Sequence, residues 1–315
     1  MNRRKFLVST ALLAMSQSKD LIANQSDVRI LFVHGRAQEG KSEEKIESQW
    51  LEALATGLGK SDLSLPSNIR VDAPFYGDLL EDLTTRFDLP LPEDIVSKGE
   101  DSVDEDFLRF QADVLNEIRQ AAGITDLQID QEYGDNTRPK GPQNWEWVQA
   151  IVRAIDKNAK GLTAATLNKF LNDTYLYMRK SFVRDSINQL VSERLTEQPT
   201  IIVAHSLGSV VAYDILRKTN LNVDVPLLIT LGSPLGIRFI RDELMPIERS
   251  MHVQHWVNAY DERDVVALYP LDENNFRVDP PIENINDLKN KTKNRHGIDG
   301  YLDDQNISKL IFDEL

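Results

Sequence analysis

Short apolar runs recur along the chain, and most give way to a polar turn and then to a helical pattern. Val28–Val33 (Val-Arg-Ile-Leu-Phe-Val) is the first, and its near-continuous apolar character predicts a central parallel strand. Ile69–Ala73, Ile201–Ala204, Val225–Leu231 and His252–Asn258 follow as further strands. Between them, apolar residues fall at helical spacing. Glu43–Leu58 carries Ile46, Trp50, Leu51, Leu54 and Leu58 on one side, with Ser42 as N-cap and Gly57 and Gly59 at its end. Phe107–Ala121 presents Phe107, Phe110, Val114, Leu115 and Ile118 on one face. Asn144–Lys157 and Thr163–Leu195 read as helices, the second broken or kinked along its length.

A helix also starts directly after Ser206, with Val210, Val211, Tyr213, Asp214 and Leu216, and Ile307–Phe312 closes the chain. Leu235–Leu244 is a short helix or loop. Three stretches read as loop. Glu93–Asp106 holds seven carboxylates against one Lys, Ile124–Gln143 is polar with Gly134, Pro139, Gly141 and Pro142, and residues 267–295 contain Pro270, Pro280 and Pro281. Strands alternating with helices predict an α/β fold, with residues 27–315 as one domain in which 79–198 is largely helical.

Composition narrows the partners. A net charge of −14 argues against nucleic acid, because no basic face is left to neutralise phosphates. The chain has no cysteine, so a disulfide, a thiol nucleophile and a thiolate metal site are all excluded. No cofactor or metal is expected. His252 and His255 stand three apart, but on a strand they face opposite sides and cannot share an ion. Gly40-Lys41 lacks the spacing of a phosphate loop.

The first 26 residues differ from the rest. Arg3, Arg4 and Lys5 precede a short apolar run, Val8–Met15, and Ala14-Met15-Ser16 puts small residues at the two positions a signal peptidase reads. The run is too short to span a bilayer. Arg-Arg-x-Phe-Leu resembles a twin-arginine export signal, which predicts a periplasmic or secreted protein, the alternative being a cytoplasmic one with a plain tail.

Candidate chemistry concentrates at Ala204-His205-Ser206-Leu207-Gly208. A buried strand breaks into an abrupt turn and a helix, the context that holds a serine in a strained turn with its oxygen presented. Ala204 stands where G-x-S-x-G has its first glycine, and Gly208 lets the helix start close to the strand. A serine hydroxyl needs a base, and the base a carboxylate; where a nucleophile elbow carries the serine, the chain order is Ser, acid, His. Of five histidines, His34 precedes the elbow, His205 adjoins Ser206 and points away off the turn, and His252 and His255 precede the best acid. His296 alone follows it, which makes His296 the base. The acid lies in the charged turn after His252–Asn258. Asp264, just before Val265-Val266, is preferred, and Asp261 is the alternative acid or a turn cap.

With His34-Gly35 after the first strand, the Asn-x-Tyr-Asp-x-x-Asp and His-Gly pieces, and Leu-Gly-Ser-Pro at 231–234, the chain resembles an α/β-hydrolase of the lipase and esterase kind. The resemblance covers roughly residues 28–78 and 199–315. It implies a mostly parallel sheet flanked by helices, with 79–198 where a lid or cap would sit. It also implies a small-molecule or lipid ester as substrate. Amides of Leu207 and Arg36 are expected to form the oxyanion hole, although Arg36 stands where the family has a small residue. Phe170, Tyr175, Tyr177, Met178 and Phe182 either line a substrate pocket or pack the helices onto the sheet. A serine peptidase or amidase uses the same residues, and a non-catalytic binding protein can share the fold.

Overall fold

The structure, a computed structural model, describes residues 28–35, 38, 40–86, 105–159, 163–220, 222–293 and 295–315. The leader at 1–26, Arg36 and most of the acidic stretch 93–106 therefore lie outside the described residues. In chain order the elements are β1 (Arg29–Val33), α1 (Glu43–Gly59), β2 (Val71–Asp72) and α2 (Gly77–Arg86). Then come α3 (Glu105–Ala121), α4 (Asp126–Tyr133), α5 (Trp145–Asn158), α6 (Ala164–Arg179) and α7 (Ser181–Ser192). The C-terminal part holds β3 (Thr200–His205), α8 (Leu207–Lys218), β4 (Val225–Leu231), a 3-10 turn (Pro234–Gly236) and α9 (Arg238–Glu243). It ends with β5 (Val253–Ala259), β6 (Glu283–Ile285), α10 (Asp299–Leu302) and α11 (Gln305–Asp313).

The described strands form one six-stranded sheet in the order β2-β1-β3-β4-β5-β6, and every pairing is parallel. Strand alternation splits the core into two layers. Ile30, Phe32, Ile201, Val203, Ile229 and Val257 meet Trp50, Leu54, Tyr301 and Ile307 on one face. Leu31, Val33, Ile202, Ala204, Leu228 and Trp256 meet Val210, Val211 and the helices of 105–192 on the other. Both faces are covered, so β1 and β3 are buried along their whole length and carry no polar alternation.

Register brings the carboxyl ends of the strands together. Val33 pairs with Ala204, His205 with Leu231, and Leu231 with Ala259. Residues just beyond β1, β3, β4 and β5 thus share one edge, where crevices of open parallel sheets form.

Two expectations change. Ile124–Gln143 is not all loop: α4 occupies 126–133, started by a capping box between Thr125 and Gln128 and anchored by buried Ile129 and Tyr133. The polar composition hid that local signal. The stretch 267–295 contains β6, a short, largely polar edge strand paired to β5 alone. The break expected within Thr163–Leu195 falls at Lys180 (φ −106°, ψ 99°), between α6 and α7. Of the five aromatic and Met positions there, Phe170, Tyr175, Tyr177 and Met178 are buried in the helical packing, whereas Phe182 is 64% exposed. They act as core, except Phe182. Among the described residues no helix is long and apolar enough to cross a membrane.

Candidate active site

β3 runs straight into α8 through one residue, Ser206, whose φ of 55° and ψ of −129° lie in a region L-residues rarely adopt. The turn is tight on all sides. A Cβ on Gly208 would stand 2.1 Å from the Val33 carbonyl oxygen, and one on Gly35 would stand 2.7 Å from the Ser206 Cβ. Hydrogen bonds fix the bend: Ser206 N–H donates to Leu231 O (3.0 Å), and the Ser209 hydroxyl donates to Ser206 O (2.6 Å). The Ser209 hydroxyl also lies 2.7 Å from the Ser233 hydroxyl.

The structure brings Ser206, His296 and Asp264 into one hydrogen-bonded chain. His296 Nε2 is 2.8 Å from Ser206 Oγ, and His296 Nδ1 is 2.6 Å from Asp264 Oδ2. A carboxylate oxygen only accepts, so Nδ1–H donates to Asp264 and Nε2 is left to accept the serine hydroxyl. All three side chains are buried. Asp264 Oδ1 accepts from Val266 N–H (3.0 Å), and Tyr301 donates its hydroxyl to Oδ2 (2.6 Å).

The alternative acid is engaged elsewhere. Asp261 accepts from Arg263 Nε (2.8 Å), from a terminal guanidinium nitrogen of Arg263 (2.6 Å) and from Asn290 N–H (2.9 Å). Burial pushes its carboxyl up, but the bonds from Arg263 and Asn290 outweigh that and hold it below the ordinary carboxylate range. It closes the turn and does not touch His296.

The other histidines take distinct places. His205 Nε2 is 2.7 Å from the His296 carbonyl, so its N–H donates there and holds the loop that carries His296. Burial, then the neighbouring His296, pushes His205 well below the usual range, which keeps it neutral. His34 donates from Nδ1 to Gly35 O (2.6 Å), accepts from Tyr76 N–H at Nε2 (3.2 Å) and is lowered to about 4 by burial. Its carbonyl accepts the Tyr76 hydroxyl. His252 Nδ1 faces Val223 O (3.1 Å), while His255 Nε2 faces Glu283 (2.9 Å). Among the described residues no group of three His, Asp or Glu side chains is placed to hold a metal.

Leu207 opens α8, so its N–H is one of those at a helix start without an intrahelical acceptor. Three further residues shape the site: Tyr301, which no local sequence signal marks, and His205 as an anchor and Gly232, both of which lie in motifs that give them no such role. A Cβ on Gly232 would stand 3.0 Å from the Tyr301 ring, 3.1 Å from Asp264 Oδ2 and 3.2 Å from His296 Nδ1. A cavity of 530 Å³ lined by Arg109, Arg138 and Lys140 shares no residue with this cluster.

Compared with known proteins, the chain matches no family model, no curated protein and no solved structure.

Proposed function

We propose that this protein is a serine hydrolase with an α/β-hydrolase fold, which cleaves carboxylic esters by acyl transfer to water. One observation carries the reading: a serine at φ 55° whose hydroxyl is 2.8 Å from a histidine that is itself 2.6 Å from a buried aspartate. A strained, buried serine costs stability, on the order of 1–3 kcal/mol, and such strain concentrates where it serves chemistry.

In this mechanism Ser206 attacks the ester carbonyl while His296 Nε2 takes its proton. Asp264 holds the imidazole in the tautomer that accepts at Nε2 and stabilises the imidazolium that forms. The amides of Leu207 and Arg36 receive the negative charge developing on the carbonyl oxygen. His296 then returns the proton to the leaving alcohol and activates the water that hydrolyses the acyl-enzyme. The helices described within 79–198 serve as the cap of the site, and the leader at 1–26 directs export.

A panel of p-nitrophenyl esters graded by chain length, with a matching panel of anilides, tests the reading. Ester turnover that disappears in Ser206→Ala supports it. Turnover of anilides alone would assign the site to amide cleavage instead.

A further inference from the structure

Two donors converge on one oxygen of Asp264. The His296 ring reaches Oδ2 at 2.6 Å, and the Tyr301 hydroxyl reaches the same atom at 2.6 Å. Resting on the hydrolase reading above, we propose that Tyr301 is a positioning residue: its hydroxyl pins the Asp264 carboxylate against His296 and draws off part of its charge.

Packing alone does not call for the hydroxyl. The Tyr301 ring is fully buried, 5.9 Å from the His205 ring centroid, and phenylalanine has the same ring. What the hydroxyl adds is polar, and a buried hydroxyl is costly unless it is bonded. It donates to Asp264 Oδ2 and accepts, at 3.4 Å, from Asp261 N–H. Burial, then the Asp264 charge, pushes the phenol well above its ordinary range, so it stays a donor wherever the enzyme works.

The geometry gives that donor a task. Oδ1 is fixed by Val266 N–H, and Oδ2 is shared by His296 and Tyr301, so the carboxylate is held at both ends. The lack of a side chain at Gly232 is what lets the three groups meet. Tyr301 sits on α10, five residues past His296, so one segment delivers both donors. That segment is anchored by Asn290, whose Nδ2 donates to Gly297 O (2.8 Å), and by His205 on the His296 carbonyl. The titratable groups facing the phenol are Asp264, Asp261 with Arg263 on it, His205 and, across Asp264, His296.

Removing the hydroxyl leaves Oδ2 with one donor. The carboxylate becomes more basic, which favours the imidazolium, and it is less firmly aimed. In Tyr301→Phe the acid limb of the kcat/KM profile therefore moves to higher pH by roughly one unit, the scale of a single charge-assisted hydrogen bond. At the plateau kcat falls roughly tenfold, with KM unchanged.

The experiment is that pH profile, measured by ester turnover and by fluorophosphonate labelling, for the full chain and for Tyr301→Phe. A folded Tyr301→Phe protein with an unmoved profile overturns the inference and leaves the hydrolase reading standing. Arg263→Ala, which loosens the Asp261 turn without touching the phenol, is expected to keep the parent midpoint. An equal shift in that variant would assign the effect to the turn and overturn the inference. If Tyr301→Phe does not fold, global replacement of tyrosine by the more acidic 3-fluorotyrosine is the second test. It strengthens the donation and is expected to move the midpoint to lower pH, and an unmoved midpoint counts against the inference. Absence of any turnover or labelling in the unsubstituted chain overturns both readings together.

Discussion

Gly232 and His296 lie so close that a methyl group on the glycine would stand 3.2 Å from the imidazole Nδ1. The same methyl would press on Asp264 Oδ2 and on the Tyr301 ring, and Gly232 has a φ of 57° that side chains disfavour. β4 is therefore followed by a residue that makes room for Asp264 and His296, which come from later parts of the chain.

Gly232→Ala is expected to damage function beyond its effect on the fold. Strain and crowding together destabilise by about 1–3 kcal/mol. Activity falls on the order of 10²-fold because the Asp264–His296 contact is pushed out of line. Melting curves and kcat on one preparation separate the two effects; loss of stability with full activity would contradict the account.

The two aspartates separate by substitution. Asp264→Asn keeps the shape but stabilises the wrong imidazole tautomer, so kcat falls about 10³–10⁴-fold in a folded protein. Asp261→Asn loses part of its bonding to the half-exposed Arg263 and to Asn290, so the melting temperature falls modestly with turnover little changed. The reverse ranking of the two variants in kcat would show that the acid has been misassigned.

Acid sensitivity follows from the buried histidines. His34 is lowered from 6.5 to about 4, so below pH 6.5 the unfolded chain binds a proton that the folded chain refuses. The stability it contributes is complete above pH 6.5 and is lost as pH falls towards 4, by about 3 kcal/mol. His205 is shifted the same way and adds to the slope. Urea unfolding at several pH values across this window checks it. His34→Gln is expected to flatten the dependence, and an unchanged slope would refute the attribution.

What could be read from the chain alone follows the range of each interaction. Ser206 is legible because an elbow is local: strand, turn and helix lie within a few residues of it. His296 follows from chain order, since few histidines compete. Asp264 and Asp261 share one turn, and their roles separate only once Arg263 and Asn290 are seen to occupy Asp261. Tyr301 has no local mark, because its partner is 37 residues away and only the closing segment's path brings them together. The helix at 126–133 escaped for a different reason. Its Thr125–Gln128 capping box is followed by glycine and proline, which give the stretch the composition of a loop. β6 is too short and too polar to declare itself before β5 is there to pair with it.

Mass spectrometry of the chain after fluorophosphonate treatment reads out the nucleophile itself. One covalent adduct is expected, on the peptide that contains Ser206. The adduct should be absent in folded Ser206→Ala, and in folded His296→Ala it should form at least about 10³-fold more slowly. A folded, unsubstituted chain that takes no adduct would contradict this assignment, as would an adduct that persists at full rate in either variant.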